Sequence, residues 1–147
     1  MAIIYSSNIS KNQIRFPVDI QYGNKVIFYN AMFDTGAAIC YITYALWYNM
    51  GADNVIFDDS NKQETILGDG SKIPAYDCYF DINIGKAPVV KLENIKTRLI
   101  YSKEAEFILG RNILRYLDFH YVNSSTINTS CFLELTDVGR QIIQRFL

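Results

Sequence analysis

Phe33-Asp34-Thr35-Gly36-Ala37 follows directly on the apolar run Val26–Phe33, and its reading governs the rest of the chain. An ionisable side chain at the end of such a run is costly to bury unless it has partners or a chemical task. Thr35 adds a hydroxyl able to bond backbone, and Gly36 permits close approach of another chain or a substrate. An ordinary turn after a strand uses the same residue types, since Asp and Gly are common turn formers. Five residues alone do not separate the two.

Further along, Ile108-Leu109-Gly110-Arg111-Asn112-Ile113-Leu114 supplies a second motif. Between the two lies a Gly-containing stretch, Gly68-Asp69-Gly70-Ser71. In this order the three resemble the signature of the retropepsin-like aspartic proteases, single-domain enzymes of retroviruses with cellular and bacterial counterparts. That signature is apolar-Asp-Thr/Ser-Gly-Ala, a Gly-containing flap hairpin, then apolar-apolar-Gly-Arg-Asn/Asp-apolar-Leu. The resemblance spans roughly Phe16 to Leu135.

Composition bounds what else the chain does. Its 147 residues suffice for one compact domain, 1–147, with its own core. Fourteen basic and 15 acidic side chains give a net charge of -1, which leaves no basic stripe for nucleic acid. Eleven Tyr, nine Phe and many β-branched residues lean the fold toward strands. Cys40, Cys78 and Cys131 are widely spaced with no CxxC pair, as expected of reduced thiols in a cytoplasmic protein. Met1–Ile9 lacks the basic start and apolar run of a secretory leader, and no stretch has the ~20 apolar residues of a membrane helix. The expectation is a cytoplasmic protein with no membrane partner.

Ile3-Ile4-Tyr5 fits an edge strand, and Ile14–Ile20 alternates apolar and polar as a half-buried strand does. Tyr22–Lys25 turns the chain into Val26–Phe33, a hairpin expected to deliver Asp34 to the interior end of the sheet. Ile39–Ile42 continues extended, and Thr43 is placed to cap a short helix, Tyr44–Met50, closed by Gly51. Trp47 reads as core. Asp58–Lys62 is a polar loop without the spacing of a calcium site. Residues 65–84 read as a long hairpin with its tip at Gly68-Asp69-Gly70, which lacks the spacing of a phosphate loop.

Val89–Leu92 and Ile95–Tyr101 read as two strands, Lys103–Glu106 as a charged loop, and Phe107–Leu109 as a short buried strand. Arg111–Leu117 fits a brief helix, and Phe119–Val122 with Cys131–Leu135 a closing strand pair. Thr136-Asp137 starts a terminal helix with the apolar stripe Val138, Ile142, Ile143, Phe146, an extension (136–147) beyond the shared pattern. It covers the core or joins two subunits.

The resemblance implies a mostly-β acid protease fold: a closed, barrel-like sheet with short helices and a flap hairpin, active as a homodimer. One Asp-Thr-Gly is half a site, so a two-fold axis must bring Asp34 of each subunit together. The implied catalytic set is Asp34, Thr35 and Gly36, with Thr35 hydroxyls cross-bonded between the loops and the Gly36 carbonyl receiving substrate backbone. Ala37, Ala38, Gly68, Asp69 and Gly70 are the implied substrate-binding residues, and the implied partner is an extended peptide or protein. No cofactor or metal is implied. Many retroviral members pair the motif arginine with an Asp at the position of Ala38, so Arg111 must find a backbone carbonyl or the other subunit instead.

His120 is the only histidine and sits in a closing strand, which disfavours a Ser–His or Cys–His nucleophile. Zinc-ligand spacing is absent. The competing reading of a different class is a non-catalytic dimerisation or peptide-binding module on the same fold. Ala38 and the C-terminal extension favour it, and the intact Asp-Thr-Gly-Ala opposes it.

Overall fold

A computed structural model describes residues 3–5, 8–10, 13–49, 62–67, 69–85, 89–122 and 130–135. The expected polar loop at 58–61, Gly68 at the hairpin tip and the terminal helix at 136–147 lie outside the described residues. Eleven strands and two short helices form the described part. In chain order they are β1 (Ile3–Tyr5), β2 (Asn8–Ser10), β3 (Gln13–Tyr22), β4 (Lys25–Phe33), β5 (Cys40–Thr43), α1 (Tyr44–Asn49), β6 (Lys62–Ile66), β7 (Lys72–Ile84), β8 (Val90–Ile100), β9 (Phe107–Leu109), a 3-10 helix (Arg111–Arg115), β10 (Leu117–Val122) and β11 (Ser130–Leu135).

Eight strands build the main sheet in the order β2-β3-β4-β9-β5-β8-β7-β6. An additional antiparallel pairing of β3 with β7 returns this sheet onto itself through Val18↔Ile84 and Ile20↔Ile82. A separate three-stranded sheet, β1-β11-β10, makes Ile3–Tyr5 an edge strand as its sequence suggests. Among the described residues no helix is long and apolar enough to cross a membrane.

Alternation places the core. Phe16, Val18 and Ile20 of β3 point inward, against Phe80, Ile82 and Ile84 of β7 and Leu109 of β9. The β3–β4 hairpin turns on two residues, with Gly23 at φ +58° in the first central position, where a side chain would be strained. Thr43 caps α1 as expected, accepting the Leu46 N–H at 3.4 Å. Trp47 is buried, edge-on to Phe80 at 5.1 Å.

Two expectations are corrected. Val90–Ile100 form one strand where Val89–Leu92 and Ile95–Tyr101 are expected as two, because Asn94 (φ +54°) and a register shift opposite Phe80/Ile82 absorb the change of inward parity as a bulge. The helix expected over 111–117 is a 3-10 helix ending at Arg115, and buried Leu117 instead opens β10. Within the strand expected over Val26–Phe33, Phe28 is 80 % exposed, since period-2 alternation turns it outward.

Candidate active site

The Asp34 loop is held by the end of β9 and the start of the 3-10 helix. Met32 and Phe33 of β4 run parallel to Ile108 and Leu109 of β9. The ladder continues one step beyond the strand, with the Asp34 N–H donating to the Leu109 carbonyl at 3.0 Å. Ala37 N–H closes the turn onto the Asp34 carbonyl at 3.1 Å, and Arg111 N–H donates to the Ala37 carbonyl at 2.8 Å. The Arg111 guanidinium donates to the Thr35 carbonyl at 2.9 Å. That carbonyl fills the role left open by Ala38, and it makes the arginine a clamp on the loop.

The carboxylate is oriented from within its own loop, since the Gly36 N–H donates to Asp34 Oδ1 at 2.8 Å. A Cβ at Gly36 would stand 3.1 Å from the same oxygen, so the position favours glycine. Asp34, Thr35, Gly36 and Ala38 are exposed, and Ala37 is buried. The expectation that the hairpin carries Asp34 into the interior is therefore corrected. Phe33 takes the inward position, and the loop after it emerges at the surface. Among the described residues the Thr35 hydroxyl has no hydrogen-bond partner.

Beneath the loop lies a layer that the motif alone does not reveal. Gly110 packs so closely on β5 that a Cβ would collide with the Ile39 carbonyl. Its N–H donates to Cys40 Sγ at 3.4 Å, and the Cys40 thiol donates to Asn112 Oδ1 at 3.3 Å. Asn112 Nδ2 reaches on to the Lys96 carbonyl of β8 at 2.9 Å. Burial pushes the Cys40 thiol up to about 12, against a small opposing effect of the Gly110 N–H. Cys40 therefore serves as a neutral packing and hydrogen-bonding group. Its signal in the sequence is only its place at the start of the strand that follows the motif.

A second clamp fixes the approach to β9. Arg15 makes a two-pronged contact with Glu106, at 2.8 and 3.0 Å. Thr43 Oγ1 accepts the Glu106 N–H at 2.9 Å, and the Tyr29 hydroxyl donates to the Ala105 carbonyl at 2.9 Å. The Glu106 carboxylate raises the Arg15 guanidinium above its ordinary value, chiefly by accepting its hydrogen bonds. These half-buried contacts tie β3, β4 and β5 to the loop that delivers Leu109 and Gly110.

The expected flap is a hairpin of β6 and β7. Gly70 has φ +85°, a conformation that favours glycine, and its N–H donates to the Leu67 carbonyl at 2.9 Å. The Asp69 carboxylate accepts the Ser71 hydroxyl at 2.6 Å and the Ser71 N–H at 2.9 Å, which hold it below the usual carboxylate range. Asp69 and Gly70 are exposed at this tip, and their hydrogen bonds stay within the hairpin.

Alternation shows which face the hairpin shares. Met32 points to the same side as Asp34, and the registers Met32↔Ile108, Ile108↔Tyr41 and Tyr41↔Arg98 continue that face across the sheet. Asp77 and Gln63 extend it to the hairpin, with Arg98 bonded to both at 3.2 and 3.1 Å. An apolar hollow of about 460 Å³ lies elsewhere, between Tyr44, Pro74, Tyr76, Leu99, Ile100 and Tyr101, and none of these belongs to the Asp34 loop.

With this geometry in hand, comparison with solved structures is informative. A retropepsin-like aspartic protease from Rickettsia conorii superposes with a TM-score of 0.60 at 16% identity, covering 90% of this chain and 98% of that one. In fold, the chain is similar to a retropepsin-like aspartic protease. At this identity the likeness concerns the path of the backbone. No protein-family model and no curated protein matches the sequence. The retropepsin-like architecture nevertheless gives the Asp34 loop, its Gly110-Arg111 clamp and the β6–β7 hairpin a common frame.

Proposed function

We propose that the chain is an aspartic endopeptidase whose site forms between two copies related by a two-fold axis. The observation that carries this reading is Asp34 itself: exposed on its own chain, oriented by Gly36, and clamped by Leu109 and Arg111 on a retropepsin-like fold. One chain supplies one such carboxylate, and peptide hydrolysis by this chemistry needs two facing one water. Isologous pairing brings the two Asp34 loops together.

In the pair the carboxylates share a proton, because two adjacent charges of one sign do not both persist. The ionised member takes a proton from water as the oxygen attacks the scissile carbonyl. The protonated member donates to that carbonyl oxygen and stabilises the tetrahedral intermediate. Thr35, whose hydroxyl has no partner among the described residues, bonds the opposite loop and holds the carboxylates coplanar. The Gly36 carbonyl, Ala37 and Ala38 meet the substrate backbone, which lies extended below Gly68, Asp69 and Gly70. Closure of that hairpin excludes water.

The test is Asp34→Asn. The wild type is expected to cleave a mixed peptide library at mildly acidic to neutral pH, and the variant to lose all cleavage while keeping its fold and its mass by sedimentation. Cleavage by the variant overturns the role of Asp34. A dimeric wild type that cleaves nothing at any pH favours the non-catalytic dimerisation or peptide-binding module instead.

A further inference from the structure

We propose that Tyr41 and Thr65 form a polar subsite on the sheet face that bears Asp34 and make the protein prefer a neutral hydrogen-bonding side chain, Ser, Thr, Asn or Gln, at one position near the cleaved bond. The inference rests on the endopeptidase reading for its cleavage arm, and on geometry alone for its binding arm.

Tyr41 lies on the face that bears Asp34, in register with Ile108, which is in turn in register with Met32. Met32, Ile108 and Tyr41 are half-buried, so this row of the sheet is partly open. The Tyr41 hydroxyl is 3.3 Å from Thr65 Oγ1. Yet β5 and β6 are separated in the sheet by β8 and β7. Three flat interstrand steps of ~4.8 Å amount to about 14 Å, farther than a tyrosine side chain reaches. The sheet must therefore curl toward this face and bring β6, an arm of the hairpin, over Tyr41. Thr65 is 3 % exposed as a result.

Hydrogen-bond arithmetic then identifies the ligand. Two hydroxyls carry two O–H donors, and the bond between them uses one. The remaining donor and the spare lone pairs sit on a pair whose Thr65 is buried and whose Tyr41 is half-buried in register with Ile108. An incoming group that completes them is favoured, and an isosteric apolar group leaves them unfilled. Charge is not required there. Asp77, another acid on this face, already receives Arg98 at 3.2 Å, Gln63 at 2.7 Å and Lys96 at 3.5 Å. A neutral polar side chain matches that balance.

The experiment compares peptides differing at one position as Asn/Leu, Gln/Met or Thr/Val pairs. Wild type should cleave the polar member of a pair with about tenfold higher kcat/KM at a single position relative to the cut. The Tyr41→Phe/Thr65→Val variant, which keeps side-chain shape, should bring that ratio near one. The same pairs are measured by fluorescence anisotropy on Asp34→Asn, with and without the two hydroxyl deletions, so that binding is read without turnover. Polar preference in binding that vanishes with the hydroxyls supports the subsite even where wild type cleaves nothing, an outcome that removes only the protease reading. Cleavage or binding with no polar preference, or a preference that survives both deletions, overturns the subsite. Absence of both cleavage and binding overturns both proposals.

Discussion

Gly110 and Cys40 meet where the two halves of the signature touch. The glycine admits the Ile39 carbonyl into the space of a side chain, and the thiol takes the Gly110 N–H on one side and gives its proton to Asn112 on the other. Burial raises this thiol from an ordinary 9.0 to about 12, so the folded protein keeps its proton through a range in which the unfolded chain loses it. The stabilisation is complete below the unfolded value and disappears as pH rises toward the folded one. Between about pH 8 and about pH 10, urea unfolding of the wild type should lose about 1.4 kcal/mol more than that of Cys40→Ala. Equal losses would show that the thiol is not desolvated.

At the scale of elements, β8 and the hairpin carry the informative departures from regular alternation. The inward set Val90 and Leu92 gives way to Ile95, Thr97 and Leu99, and the change of parity falls on Asn94. Its N–H donates to the Asp81 carboxylate at 2.9 Å, which holds the left-handed turn. A β-branched residue tolerates that backbone poorly, so Asn94→Val should cost ~1–2 kcal/mol in thermal or urea unfolding and Asn94→Gly far less. Matching losses for Val and Gly would locate the cost in the side chain and not in the backbone. The hairpin shows the converse lesson. Gly70 was legible as a tip residue, whereas Thr65 meets Tyr41 although strands β8 and β7 lie between theirs in the sheet, a contact that no local pattern announces.

For the whole molecule, the decisive feature is a clamped carboxylate at the surface with no second one supplied by its own motif. The dimer proposed above makes activity a property of pairs. Adding an equimolar amount of Asp34→Asn chain to the wild type, with time for exchange, should reduce cleavage to about half, because mixed pairs hold one competent carboxylate. Cleavage that stays proportional to wild-type chain alone would mean that a single subunit suffices. Dilution provides a second view of the same equilibrium, with specific activity falling as pairs separate.

By itself the sequence determined the strand-rich class, most strand positions, the helix cap at Thr43 and the two motifs that meet at the Asp34 loop. Each is written locally, in alternation, turn chemistry or motif spacing. Tertiary structure alone decided that the Asp34 loop emerges at the surface and that Arg111 clamps the Thr35 carbonyl. It alone brought Cys40 and Asn112 beneath that loop and set Tyr41 against Thr65. Those relations join residues from distant strands through the closure and curl of one sheet, and local periodicity carries no information about which strands become neighbours.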